Sequence, residues 1–130
     1  MARIAPFICL LALLAGCGDG NDEEEAEETV RAFVTAVNER DADTYCDDLI
    51  TEEFREQSTF AEGDEARNSC KRQLTAIKGL RLELVRIGPT RVDGDKATVT
   101  AILDRSGTEI RQRIRLEKDG GDWKIAGGAG

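Results

Sequence analysis

The side chains able to do chemistry are few. The chain of 130 residues has no histidine, four cysteines and one tyrosine. Without histidine there is no Ser-His-Asp or Cys-His relay, no histidine-containing zinc site and no ordinary pH switch. No pair of carboxylates falls by spacing on one inward face, so no acid–base dyad is read. The glycines sit in turns and form no phosphate-cradling loop. The sequence therefore points to no catalytic residue, no cofactor and no metal. Two polar residues do fall on otherwise apolar faces. Tyr45 reads as a core aromatic with its hydroxyl at the rim, or as a ligand contact. Gln112 reads as a core-edge amide, or as a second ligand contact. Asp104 follows a strand and reads as the start of a turn rather than a base. Arg111, Arg113 and Arg115 share the polar parity of a strand, a stripe suited to an anionic partner or a lipid headgroup.

The composition narrows the setting. Acidic residues outnumber basic ones 26 to 18, for a net charge of −8 and a pI of about 4.6. That balance argues against nucleic acid as a partner. Hydrophobic residues make up 40% of the chain, enough for a core, and the length suits one domain. Charge is unevenly divided: residues 17–65 carry a net −15 and residues 66–130 a net +6.

The first sixteen residues read as an address. Arg3 precedes an apolar run from Ile4 to Leu14, broken only by Pro6. A spanning helix needs about 20 apolar residues, so this run is a secretory signal rather than a lasting anchor. It ends in Leu14-Ala15-Gly16-Cys17, which resembles the bacterial lipobox. The resemblance implies that residues 1–16 are removed and that Cys17, diacylated on sulfur by palmitate-type chains, becomes the mature N-terminus. Two acyl chains give stable anchoring where one does not. The expected location is the extracytoplasmic side of the cell membrane. Residues 17–22 then form a tether, whose acidic composition extends to about Glu28 and favours an extended, solvated chain. Within it, Glu23 to Glu28 also suit the first turns of a helix.

The domain itself is expected over residues 23–126. Ala26, Val30, Phe33, Val34 and Val37 make one helical stripe, predicting a helix from about Asp22 to Glu39. A second helix starts near Asp41 or Asp43, with Tyr45, Cys46, Leu49 and Ile50 inward, and Thr51 caps a further short turn. Residues 58–63 read as a loop. A third helix begins at Asp64, carries Ala66, Cys70, Leu74 and Ile77, and ends at Gly79. Beyond Gly79 the period changes from 3.6 to 2. Leu80–Val92 is one strand, bulged because Leu82 and Leu84 differ in parity from Val85 and Ile87. Ala97, Val99, Ala101 and Leu103 face inward on the next, with Thr98 and Thr100 opposite. Ile110, Ile114 and Leu116 face inward on the third, and Trp123-Lys124-Ile125 is the last, followed by a glycine-rich tail from Ala126. Short turns at Asp93-Gly94-Asp95, Ser106-Gly107 and Gly120-Gly121 require an antiparallel meander. The fold class is α+β: three N-terminal helices packed on a curved four-stranded antiparallel sheet.

Export changes the reading of the remaining cysteines. Cys9 leaves with the signal and Cys17 carries lipid, so Cys46 and Cys70 remain, one on each of two helices. An oxidising compartment permits them to bond, and a Cys46–Cys70 disulfide is expected in preference to two buried free thiols. Neither lies in a Cys-x-x-Cys motif, which sets a redox-active pair aside.

The segment Asn38-Glu39-Arg40-Asp41-Ala42-Asp43-Thr44-Tyr45-Cys46 resembles the polar turn between the first two helices of the nuclear-transport-factor-2-like superfamily. Gly120-Gly121-Asp122-Trp123-Lys124-Ile125 is similar to that superfamily's closing hairpin. The resemblance implies a cone, with a curved sheet wrapped round helices and an apolar pocket inside. It also implies that the sheet face is a place where two copies meet as a homodimer. The strand pair that many members insert between the second and third helices is missing here. The expected function is a membrane-anchored extracytoplasmic lipoprotein with a non-catalytic binding domain, its partner a protein or small apolar ligand. The alternative is a small-ligand enzyme or carrier using the pocket.

Overall fold

A computed structural model of the chain describes residues 19–128. The signal segment and Cys17 lie outside the described residues. Helix α1 spans Asp19–Glu39. It starts three residues before the expected Asp22, so the acidic stretch from Asp19 onward is helical rather than extended. Carboxylates in the first turns oppose the positive end of the helix dipole, which favours this winding. Ala26, Val30, Val34, Ala36 and Val37 form its buried stripe.

Arg40, in the left-handed region at φ 56°, ends α1. Its guanidinium donates to the carbonyls of Ile77 at 2.9 Å and Leu80 at 2.7 Å, tying the helix end to the entrance of the sheet. Asn38 does the same from two residues earlier. Its amide donates to the Leu82 carbonyl at 2.6 Å and accepts from the Leu82 N–H at 2.8 Å, serving as a partner strand would.

A π-helical segment follows at Thr44–Leu49. Of the two expected caps, Asp41 does the work: it accepts from the Thr44 N–H at 3.3 Å and hydroxyl at 2.7 Å. Cys46 and Ile50 are buried inward, with Tyr45 and Leu49 half-buried beside them. Helix α2, Glu52–Thr59, is capped by Thr51 as expected, the Phe54 N–H donating to its hydroxyl at 3.1 Å. It runs past the predicted single turn into the segment read as loop. Its Arg55 is buried and donates to the Cys46 carbonyl at 2.7 Å, satisfying a group the wide π winding leaves free. Helix α3, Gly63–Ala76, buries Ala66, Cys70 and Leu74. It ends before Ile77, whose backbone is extended and whose side chain is partly exposed, so Gly79 shapes the connector rather than the helix cap. Cys46 and Cys70 are bonded, with Cα atoms 6.0 Å apart.

The sheet has strands β1 Leu82–Asp93, β2 Lys96–Arg105, β3 Thr108–Asp119 and β4 Asp122–Gly128, in the order β1-β2-β3-β4. All neighbours are antiparallel. The expected irregularity in β1 is present as register shifts between Leu84 and Arg86 and between Ile87 and Thr90. Pro89, which has no N–H to give a ladder, sits in the second of these. Strand β4 continues through Ala126–Gly128, part of what reads as tail; Gly127 adopts φ +148° and is buried. Ala97, Val99, Ala101 and Leu103 meet α1 and the π-helical segment in one core with Ile114, Leu116, Trp123 and Ile125. Ile110, expected in that core, lies exposed near the β2–β3 hairpin end. The chain is thus α+β, helices packed with a four-stranded antiparallel sheet.

At the other end of the core, Asp22 accepts from Lys118 at 2.8 Å and from the Trp123 indole N–H at 3.4 Å, while Lys118 lies 5.5 Å over the Trp123 ring. The Lys118 hydrogen bond holds the Asp22 carboxyl below its ordinary value, and the Asp22 bond holds Lys118 above its own. The Asp22 contribution to docking α1 is therefore present above the ordinary Asp value and lost as pH falls through the lowered one. The Lys118 contribution is present below the ordinary Lys value and lost as pH rises through the raised one. Asp22→Asn is expected to flatten the acid limb of melting temperature against pH. An acid limb unchanged in that variant would show the pair to be idle.

Candidate functional site

Two polar side chains singled out from the sequence meet in one place. Tyr45, from the π-helical segment, and Gln112, from β3, line the same cavity of about 270 Å³ between helices and sheet. Phe33 of α1, Phe54 of α2, Leu82, Leu103, Ile114 and Ile125 supply apolar walls, and Gly127 and Gly128 of β4 line the edge. The parity of β3 puts Gln112 on the core face between Ile110 and Ile114. Its amide donates to the Arg113 carbonyl at 3.1 Å, leaving the amide oxygen for a ligand. A side chain at Gly128 would begin 3.1 Å from that amide, so glycine there keeps the cavity edge open.

Tyr45 packs against Phe33, ring centres 5.5 Å apart at an interplanar angle of 39°. Its hydroxyl makes no hydrogen bond to protein among the described residues, and burial pushes its pKa above the ordinary phenol value. The hydroxyl is thus a neutral donor at physiological pH, not a phenolate. Beyond the ring pair lies a second cavity of about 240 Å³, which shares Phe33, Tyr45 and Leu82 as walls and is floored by Cys70, Leu74 and Ile77. The aromatic pair therefore shapes both spaces at once, and the disulfide borders the second.

The arginines separate. Arg111 and Arg113 line a cleft of about 460 Å³ on the outer sheet face, together with Arg91, Pro89, Thr98 and Thr100. Arg115 does not join them. It lines a smaller hollow with Glu53 and Glu117 and lies over Gly127, where a side chain would begin 2.8 Å from its guanidinium. Arg91 keeps the outward parity that Leu82 and Leu84 leave to odd residues, because the two register shifts in β1 cancel. Thr100 and Ile102, on the face expected to meet solvent, are 5% and 6% exposed. They occupy the middle column of that face, with Arg113 and Arg111 as their register partners on β3. Long arginine stems on either side cover them.

Asp104 is a turn residue, accepting from the Gly107 N–H at 2.8 Å. Among the described residues, no group of three or more His, Cys, Asp or Glu side chains is placed to hold a metal ion. No described helix is long and apolar enough to cross a membrane. No protein-family model matches the chain, and no curated protein matches it.

Proposed function

We propose that the chain is a lipid-anchored extracytoplasmic binding protein, attached to the membrane through Cys17. Its domain, a nuclear-transport-factor-2-like cone, takes a small, largely apolar ligand between helices and sheet. The observation that carries this reading is the convergence of Tyr45 and Gln112 on one cavity whose other walls are apolar. A mostly apolar space with one or two placed hydrogen-bonding groups is the ordinary form of a small-molecule site. The choice between a surface interaction module and a pocket-using carrier therefore goes to the pocket.

The polar pair suits binding rather than turnover. A neutral phenol and a neutral amide orient a ligand by donating to and accepting from it. A cavity of about 150 Å³ lined by Leu, Ile and Phe already holds benzene. The space of about 270 Å³ here takes a single ring or a short branched chain with one hydroxyl or carbonyl. A steroid-sized molecule does not fit unless the Phe33–Tyr45 pair parts.

Thermal-shift screening of the full chain in detergent, with para-substituted phenols and matched alkylbenzenes, tests the reading. Phenols should raise the melting temperature more than their alkylbenzene counterparts, and Tyr45→Phe should cut that preference. No stabilisation by any single-ring compound would overturn it. Anchoring has its own test. Mass spectrometry of the mature protein should find a diglyceride on Cys17, and Cys17→Ser should release the chain from membranes. A bare Cys17 sulfur would refute the anchor while leaving the pocket standing.

A further inference from the structure

The outer face of the sheet carries a second site, independent of the cavity. The strand register arranges that face in three columns. Arg86 and Arg91 stand on β1, Thr98, Thr100 and Ile102 on β2, and Arg111, Arg113 and Arg115 on β3. Two register shifts shape the β1 column: the first turns Arg86 outward and Ile87 inward, and the second restores the parity of Leu82 and Leu84. Ile87 faces the core opposite Ala101, so strict alternation would turn residue 91 inward as well. The register shift between Ile87 and Thr90 reverses the parity, and Arg91 comes to lie opposite Thr98 on the outside. Gly88 permits the approach: a Cβ there would stand 3.3 Å from Thr100 Cγ2.

The result is a cleft of about 460 Å³ with Arg91 on one wall, Arg111 and Arg113 on the other, and Thr98 and Thr100 between. Arg86 is paired with Glu109 at 3.7 Å. Arg91, Arg111 and Arg113 have no ion-pair partner among the described residues. Three like charges on one cleft, none of them in an ion pair although Asp93 and Glu109 share the face, repel one another, in a protein whose net charge is −8. An anion relieves that repulsion.

We propose that this cleft binds a free small molecule bearing adjacent phosphoryl groups. A single carboxylate is met in its plane by one guanidinium fork, whereas phosphoryl oxygens point several ways and accept from opposite walls at once. The half-buried Thr98 hydroxyl on the floor adds a neutral donor. The walls also decide between a free ligand and a bilayer. Arg91 stands on one wall and Arg111 and Arg113 on the other, so the donors converge within the cleft, where a free molecule enters and a flat array of headgroups does not.

Calorimetric titration of the full chain in neutral detergent with sodium tripolyphosphate at low salt tests the proposal. Tripolyphosphate should bind at one site, at least tenfold more tightly than orthophosphate, and binding should weaken as salt is raised. Arg91→Gln/Arg111→Gln/Arg113→Gln should lower the affinity at least tenfold. Arg72→Gln, on the exposed face of α3, should leave it unchanged. All these side chains are exposed, so circular dichroism should report an unaltered fold. Absence of binding at low salt, or equal binding by the triple variant, would overturn the proposal. So would association of the Cys17→Ser chain with phosphatidylglycerol vesicles that depends on the three arginines while tripolyphosphate fails to bind.

Discussion

Reduction of the Cys46–Cys70 bridge is expected to lower stability by roughly 3.5 kcal/mol, the chain-entropy value for a closed loop of this size. The bridge spans a sequence separation of 24 and joins the π-helical segment to α3, enclosing α2. Little else holds those two elements together at the same level. Lys71 reaches Asp43 and Asp47, each at 3.0 Å, and Arg67 reaches Asp47 at 3.1 Å. These pairs are partly or largely open to water, where each is worth about 0–1 kcal/mol. Covalent closure therefore outweighs them. For a domain of this size the loss corresponds to a fall in melting temperature of about 15 °C. Parallel melts with and without a phosphine reductant, and of Cys46→Ala/Cys70→Ala, measure it. A melting temperature that does not move in either comparison would mean that the loop is already ordered without the bond. The two sulfurs are buried, so partial unfolding must precede reduction, and mild reductant should act slowly in the cold.

The same bridge shows what a sequence alone conveys about this fold and where it stops. Cys46 and Cys70 sit on apolar stripes of correct helical period, and the export expected from the first sixteen residues would supply the oxidising setting, so their pairing is legible. The inward parity of β2 is legible too, since Ala97, Val99, Ala101 and Leu103 alternate with polar residues. The break in β1 parity between Leu84 and Val85 announces a bulge, and Thr51 announces a cap. Other features depend on contacts that composition does not encode. The helix is read from about Asp22 and residues 19–21 as spacer, because nothing local says that Lys118 and Trp123, far along the chain, meet Asp22. The π winding of Thr44–Leu49 has no periodic signature within six residues. Ala126–Gly128 looks like a loose tail, yet pairing with β3 extends the strand. At the two sites the division is the same. Tyr45 and Gln112 are visible as polar residues on apolar faces, but their sharing of one cavity follows only from the packing of the π-helical segment over β3. Arg111 and Arg113 are visible as a stripe. Arg91 becomes their neighbour across Thr98 because two register shifts, neither of them placed by alternation, cancel, and Arg115 leaves them because Gly127 has no side chain to hold it off.

Replacing Leu103 by tryptophan is expected to abolish ligand binding in the cavity while leaving the protein as stable or more stable. Leu103 is a buried β2 residue on the cavity wall, and strands accept aromatic side chains well. In a filled core such an enlargement forces neighbours off their rotamers and costs about 1–3 kcal/mol. Into open space lined by Phe33, Phe54 and Ile114 it instead removes apolar surface from water, and cavity filling of this kind commonly gains about 0.5–2 kcal/mol. The sign of the stability change thus reports whether the space is available, before any ligand is known. Binding then separates site from void. Phenols that stabilise the parent chain should lose at least a hundredfold in affinity with Leu103→Trp. Tyr45→Phe should lose about tenfold, the worth of one net hydrogen bond at the upper end of its range. Destabilisation by Leu103→Trp beyond about 1 kcal/mol would place it with overpacked cores and remove the cavity from consideration. Stabilisation with undiminished phenol binding would show that the compounds lodge elsewhere. The neighbouring cavity beyond Phe33 and Tyr45 is the first place to look for them, because it borrows the same two rings and opens when they turn.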